Sequence, residues 1–343
     1  AQPVPEADAN MLYRVGWAAS EAAATPIPAL QAQQHLHLLP HQPLERVCAW
    51  GIAALQQYLS LGGALLAAPG LHAAHLHPAA MPSSLLAHSL LYGLVKAAAQ
   101  ENPSSSLSSV DLDAHHTSQG ALYVGAKAAP LPGSDVHGSL ERGNATYRPA
   151  LLPASEAVQL HTSSALTAAV SRFVITGGTG TLGQLVAAYF AASRDPKELT
   201  LLGRTGRLAN SSDAEQLLPA ELPAVVTLAM CDTAALEDTA AALAAAEPQA
   251  LIHSGGVLAD AVLGNQTPAH IRQAFAPKVA SMLTLGSRLA GKPTAVQLLF
   301  SSVASLLGSP GQANYSAANA ALDGLATLMQ QQVGMICWLP AFS

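Results

Sequence analysis

Two rhythms of apolar and polar positions run along this chain. In its second half, Arg172–Thr176 (RFVIT), Glu198–Gly203 (ELTLLG), Ala224–Met230, Gln249–His253 (QALIH) and Val296–Phe300 (VQLLF) are short, largely apolar runs that predict strands, RFVIT and VQLLF with the pattern of buried ones. Helix-forming stretches separate them: QLVAAYFAAS after Gly183, TAALEDTAAALAAA after Asp232, and Pro268 to Leu289. Gly334–Trp338 (GMICW) predicts a sixth strand, and Asn210–Leu218 a loop with weak helix. Alternation of this kind predicts a parallel sheet with helices on its faces.

The first half reads similarly but more faintly. Met11–Trp17 predicts a strand, and Leu44, Val47, Cys48, Ile52, Leu55 and Leu59 recur at helical spacing. Ala64–Ala68 predicts a short strand, Ser84–Glu101 an apolar helix closed by Asn102-Pro103, and Ser109–Asp113 another strand. Thr25–Pro43 is polar and proline-punctuated, hence a loop with weak helix, and Gly62-Gly63 a loop. This half holds no glycine-rich turn between a strand and a helix.

Composition narrows the choices. At 343 residues, half of them apolar and a tenth charged, the chain has room for two domains. A net charge of −6 offers no basic footprint for nucleic acid. The longest apolar runs, such as Leu61–Leu71, are broken by glycine and proline well short of the ~20 residues of a membrane span. Three distant cysteines, Cys48, Cys231 and Cys337, fit an intracellular, reducing compartment, cytoplasm or plastid, rather than a disulfide framework or a zinc site. The thirteen histidines show no ligand spacing, and no metal is expected. The opening AQPVPEADAN has neither the basic nor the apolar region of a signal peptide, and the chain reads as part of something longer.

Two stretches carry chemistry. RFVIT runs into GGTGTLG and then a helix, the context in which glycines let a pyrophosphate approach the backbone and meet free amides at a helix N-terminus. Thr176, Gly177, Gly180 and Gly183, with Gly178, Thr179, Thr181 and Leu182 between them, resemble the TGxxGxxG loop of the short-chain dehydrogenase/reductase superfamily. The second stretch, FSSVASLLGSPGQANYSAANAALD from Phe300 to Asp323, brings Ser302 from a strand end and sets Tyr315 and Asn319 one helical turn apart.

LYRVGW, LLYGLVKAAAQENP with VDLD, and ERGNATYRPALL further resemble the structural subdomain of ketoreductase domains in type I polyketide synthases and the related animal fatty acid synthase. The resemblance implies a Rossmann-like α/β fold: a truncated structural half, 1–168, bracing a catalytic NADP-binding half, 169–343, with the boundary in His161–Ser171. It implies Ser302, Tyr315, Lys278 and Asn319 as the catalytic set, the lysine coming from an earlier helix and asparagine standing four residues past the tyrosine. Arg204, where NAD-specific folds carry an acidic residue, favours NADP, while Thr205 replaces a second arginine. Asp232 matches the adenine-side aspartate, or else caps the following helix. Ser254, Gly255 and Gly256 match the turn at the nicotinamide ribose, while His253 reads as packing.

The implied reaction is NADPH-dependent reduction of a β-ketoacyl thioester on an acyl carrier protein, among other polyketide synthase domains, during polyketide or fatty acid extension. Ser302 would donate to the carbonyl oxygen and Tyr315 supply the proton, its pKa lowered by Lys278, with Asn319 holding a relay water. Asp260 in Leu258-Ala259-Asp260, together with Leu307 where the opposite class carries tryptophan, favours the D (3R) alcohol; Pro310 and Asn314 complete the substrate-side set. The family continues past the sixth strand with a lid and a last strand, and this chain, stopping at Ser343, is expected to lack both. A non-catalytic domain retaining the fold and a free-standing carbonyl reductase are the alternatives.

Overall fold

The computed structural model describes residues 13–19, 44–60, 66–69, 82–103, 107–112, 121–126, 139–142, 145–153, 170–192, 197–208, 224–290, 296–333 and 336–341. The first half contributes β1 (Tyr13–Ala19), α1 (Leu44–Ser60), β2 (Leu66–Pro69), α2 (Pro82–Glu101), β3 (Leu107–Leu112), β4 (Ala121–Ala126), β5 (Ser139–Arg142) and β6 (Ala145–Pro153). They form one sheet in the order β1-β6-β5-β3-β4-β2. The expected strand-helix alternation holds through β3. Thereafter, among the described residues, three strands follow one another, and of the sheet's pairings only β3 with β5 is parallel. β1 falls on the strand expected from Met11 to Trp17, of which residues 11 and 12 lie outside the described residues. β6 includes Pro149, which lies beyond the residues that pair with β5, so its missing N–H costs no bond on that side. The expected loops at 25–43, 62–63 and 210–218, the boundary segment 161–169 and the residues past Ala341 lie outside the described residues.

The second half contributes β7 (Arg172–Thr176), α3 (Thr181–Ala191), β8 (Glu198–Gly203), β9 (Val225–Met230), α4 (Leu236–Ala246) and β10 (Ala250–His253). A 3-10 turn (Leu263–Asn265), α5 (Pro268–Phe275), a π-helical turn (Ala276–Ala280) and α6 (Ser281–Leu289) follow. β11 (Val296–Ser302), α7 (Val303–Leu307), α8 (Ala313–Val333) and β12 (Ile336–Ala341) complete it. This sheet is parallel throughout, ordered β12-β11-β10-β7-β8-β9. The chain winds outward from β7 through β8 and β9, then crosses back to β10 on the other side. The reversal opens a crevice at the carboxyl ends of β7 and β10, where doubly wound sheets hold ligands.

The halves meet along α2 and α8. Gly93 of α2 lies so close to α8 that an added Cβ would stand 2.5 Å from the Ser316 carbonyl oxygen and 2.8 Å from Ala320 Cβ. Gly324 of α8 meets Ser89 in the same way, at 2.7 Å from its Oγ. Leu90, Leu94, Ala97, Ala317 and Ala321, all 0% exposed, belong to the same apolar cluster. α8 carries Tyr315, so the helix bearing the tyrosine is seated on the other half of the chain.

Candidate active site

The glycine loop leaves β7 with Gly177 at φ +63°, a left-handed conformation that a side chain resists. A Cβ there would also stand 2.7 Å from Gly255 Cα, so the loop after β7 and the turn after β10 touch backbone to backbone. Ser254 ties them further, donating from Oγ to the Thr176 carbonyl at 2.7 Å and from its own N–H at 3.1 Å. Gly180 is the N-cap of α3 and supplies no capping side chain, while Thr181 and Leu182 are exposed in the first turn. The first amides of α3 thus face outward from a bare helix N-terminus, which suits a pyrophosphate.

Arg204 follows β8 in an exposed turn closed by Gly206 N–H donating to Gly203 O at 3.1 Å. Thr205, the departure from a second arginine, accepts from Arg207 N–H at 3.3 Å and donates to Arg207 O at 3.2 Å. Its hydroxyl folds the turn so that Arg207 follows Arg204 on the same loop. The sequence signal for this second cation is the R-T-G-R spacing. Asp232 is exposed and accepts from Ala234 N–H at 3.1 Å. The N-cap of α4 is Ala235, so the helix-cap alternative for Asp232 gives way to a local turn ahead of the helix.

The helix expected over 268–289 is interrupted by the π turn that holds Lys278. Pro277 has no N–H for the helical ladder, and the chain widens there. Lys278 is 3% exposed; its Nζ donates to Phe300 O at 2.7 Å and lies 5.8 Å from the centroid of the Tyr315 ring. Burial lowers its pKa to about 8, opposed by the Asp323 carboxylate.

His253 at the end of β10 is 0% exposed and hydrogen-bonded through both ring nitrogens. Its Nε2 lies 2.9 Å from Lys278 O, a carbonyl that can only accept, so Nε2 carries the proton. Nδ1 then accepts from Thr176 Oγ1 at 2.7 Å. Burial first, and the Lys278 charge second, push its pKa down to about 4 and keep the ring neutral. The sequence marks His253 as packing; the structure makes it the strut between the glycine-loop strand and the lysine turn.

Ser302 ends β11 and caps α7, its Oγ accepting from Ala304 N–H at 3.2 Å. That bond uses a lone pair and leaves the hydroxyl hydrogen to donate. Tyr315 sits in the first turn of α8, 8% exposed. Asn319, one turn on and fully buried, donates from Nδ2 to Tyr315 O at 2.9 Å, while its Oδ1 is buried without a protein partner. Of the expected substrate-side residues, Leu307 and Pro310 are exposed, and Asp260, also exposed, accepts from Gln312 Nε2 at 3.3 Å through each carboxylate oxygen. Asn314 differs from expectation. It is 0% exposed, donating to Ala259 O at 2.9 Å and His270 O at 3.0 Å and accepting from Tyr315 N–H at 2.9 Å. With its amide engaged by the protein, it fixes the loop after β10 against the tyrosine.

The KR domain family model matches residues 171–336. The spectinabilin polyketide synthase system protein NorA' of Streptomyces orinoci is 38% identical over 242 residues, covering 68% of this chain and 6% of the relative's own length. Among solved structures, A-type ketoreductases from a modular polyketide synthase are 26% identical with a TM-score of 0.57, covering 74% of this chain and 54% of that one. A ketoreductase domain from the bacillaene assembly line shares the fold at a TM-score of 0.69 and 16% identity, over 97% of this chain and 84% of that one. Residues 171–336 belong to the KR domain family, and the chain as a whole is similar to ketoreductase domains of modular polyketide synthases, oxidoreductases of the short-chain dehydrogenase/reductase type.

Proposed function

We propose that the chain reduces a β-ketoacyl thioester, carried on an acyl carrier protein and supplied by other domains of a polyketide synthase, to the β-hydroxyacyl thioester with NADPH. The observation that carries this reading is the ammonium of Lys278, buried and held on Phe300 O beside the Tyr315 ring. Burying a charge is costly unless it is hydrogen-bonded, and what sets Lys278 apart from the buried Lys96 and Lys197 is its place at the crevice beside Tyr315. Here the ammonium stands where it can offset the negative charge left on the tyrosine oxygen once the proton is delivered.

The crevice suits a dinucleotide: close-packed Gly177 and Gly255, the bare N-terminus of α3, and cations at Arg204 and Arg207 for a 2′-phosphate. When bound, the cofactor supplies the hydride. This chain's residues do the rest. The Ser302 hydroxyl donates to the carbonyl oxygen as negative charge builds there, Tyr315 delivers the proton, and Lys278 stabilises the phenolate left behind. The unpartnered Oδ1 of Asn319 suits an ordered water that would return a proton to the site. Asp260, held by Gln312 beside the tyrosine helix, supports delivery to the face that gives the D (3R) alcohol.

The test is to mix the chain with NADPH and a short β-ketoacyl thioester and follow the loss of cofactor absorbance, with chiral chromatography of the product. Turnover to the D alcohol is expected. Cofactor binding without turnover would instead support a scaffold role.

A further inference from the structure

The last turn of α2 belongs to the half that carries no nucleotide loop, yet its side chains reach the two loops that border the site. Glu101 accepts from Leu263 N–H at 2.6 Å through one carboxylate oxygen and from Gly311 N–H at 2.9 Å through the other. Leu263 lies in the loop after β10 that carries Asp260; Gly311 lies between Ser302 and Tyr315. These contacts span 162 and 210 residues of chain. Gln56 of α1 adds to the same grip, donating to Leu263 O at 2.7 Å, and Gln100 donates to Leu307 O at 3.2 Å. The two loops also meet each other, Ala261 N–H donating to Gly311 O at 2.8 Å. Gly311 therefore gives its N–H to Glu101 and its carbonyl to the opposite loop.

We propose that Glu101 is a positioning residue, whose single carboxylate fixes the separation of the loop after β10 and the loop before Tyr315, and so the substrate side of the site. One rigid, two-oxygen group satisfying two amides from different loops leaves little freedom for either loop to slide. A charged acceptor makes each bond stronger than a neutral one. The functional consequence rests on the ketoreductase reading; the tether itself does not.

Hydrogen exchange at the Leu263 and Gly311 amides reads the tether without catalysis. In Glu101→Gln, nearly isosteric, an NH2 group replaces one oxygen and faces an amide N–H. Exchange at one or both of these amides is expected to rise by about tenfold or more, with the core amides of β7 and β10 unchanged. NADPH affinity should stay the same, while kcat/KM for the thioester falls by about tenfold and the ratio of alcohol stereoisomers erodes. Gln56→Leu, which removes only the grip on Leu263 O, should loosen the Leu263 turn and leave Gly311 protected. Unchanged exchange at both amides in Glu101→Gln would overturn the proposal, as would faster exchange with unaltered turnover and stereochemistry. Faster exchange in a chain that never turns over thioester would uphold the tether and remove the ketoreductase reading instead.

Discussion

The carbonyl of Lys278 accepts the Nε2 proton of His253, while the Lys278 ammonium donates to the Phe300 carbonyl, so Lys278 and His253 together tie three neighbouring strands of the sheet at the crevice. β7 joins through Thr176, β10 carries the histidine and β11 carries Phe300. The acid limb of stability follows. The folded His253 pKa is about 4 against an ordinary 6.5, so the unfolded chain takes up its proton first as pH falls. Stability should drop between pH 6.5 and 4, by on the order of 3 kcal/mol from this group. Urea unfolding of wild type and His253→Asn at pH 7 and pH 4.5 measures it: the gap between the two should narrow or reverse at the lower pH.

Lys278 acts in the alkaline range. Its folded pKa near 8 lies below the usual 10.5, so the unfolded chain holds more protons between these values. The penalty for burying the ammonium is full below pH 8 and fades as pH rises toward 10.5, so this group makes stability increase with pH across that window. Lys278→Met should flatten that slope. Turnover runs the other way: without the ammonium the tyrosine loses its support, and kcat/KM should fall as pH rises through about 8. A pH profile that is flat to pH 9.5 would contradict this use of the lysine.

The contact between α2 and α8 leaves no room for a methyl group at position 93. Gly93→Ala gains helix propensity but places Cβ against the Ser316 carbonyl, so a net loss of about 1–3 kcal/mol is expected, measured by denaturant unfolding. Because α8 shifts with it, activity should fall as well.

Arg204 and Arg207 predict cofactor choice. Replacing either with alanine should weaken NADPH by roughly ten- to a hundredfold and NADH little, since charge-assisted contacts to a phosphate contribute about 1.5–3 kcal/mol each. Titration of both cofactors against each variant checks it; an equal loss for NADPH and NADH would remove the 2′-phosphate assignment.

The second half is legible because its strands are short, mostly apolar runs, even though β9 at the sheet edge is largely exposed, and because Ser302, Tyr315 and Asn319 lie within one strand-to-helix unit. In the first half, β6 contains two prolines and β4 a glycine, so periodicity is weak where pairing with neighbours does the stabilising. The π turn is hidden in a pattern that reads as plain helix, since a proline marks a break but not its widening. The strut made by His253 and the grip of Glu101 depend on residues 25 to 210 positions apart, which no local pattern reports. Asn314 could be picked out beside the tyrosine, but only its fully engaged amide shows that it positions a loop.

The most direct test of the central claim is Tyr315→Phe, which keeps the ring and removes the hydroxyl. With saturating NADPH and a β-ketoacyl thioester, turnover should fall by roughly 10² or more while cofactor affinity stays within about twofold. A variant that reduces the thioester at near wild-type rate would show that the proton comes from elsewhere, and the site built on Ser302, Tyr315 and Lys278 would be wrong.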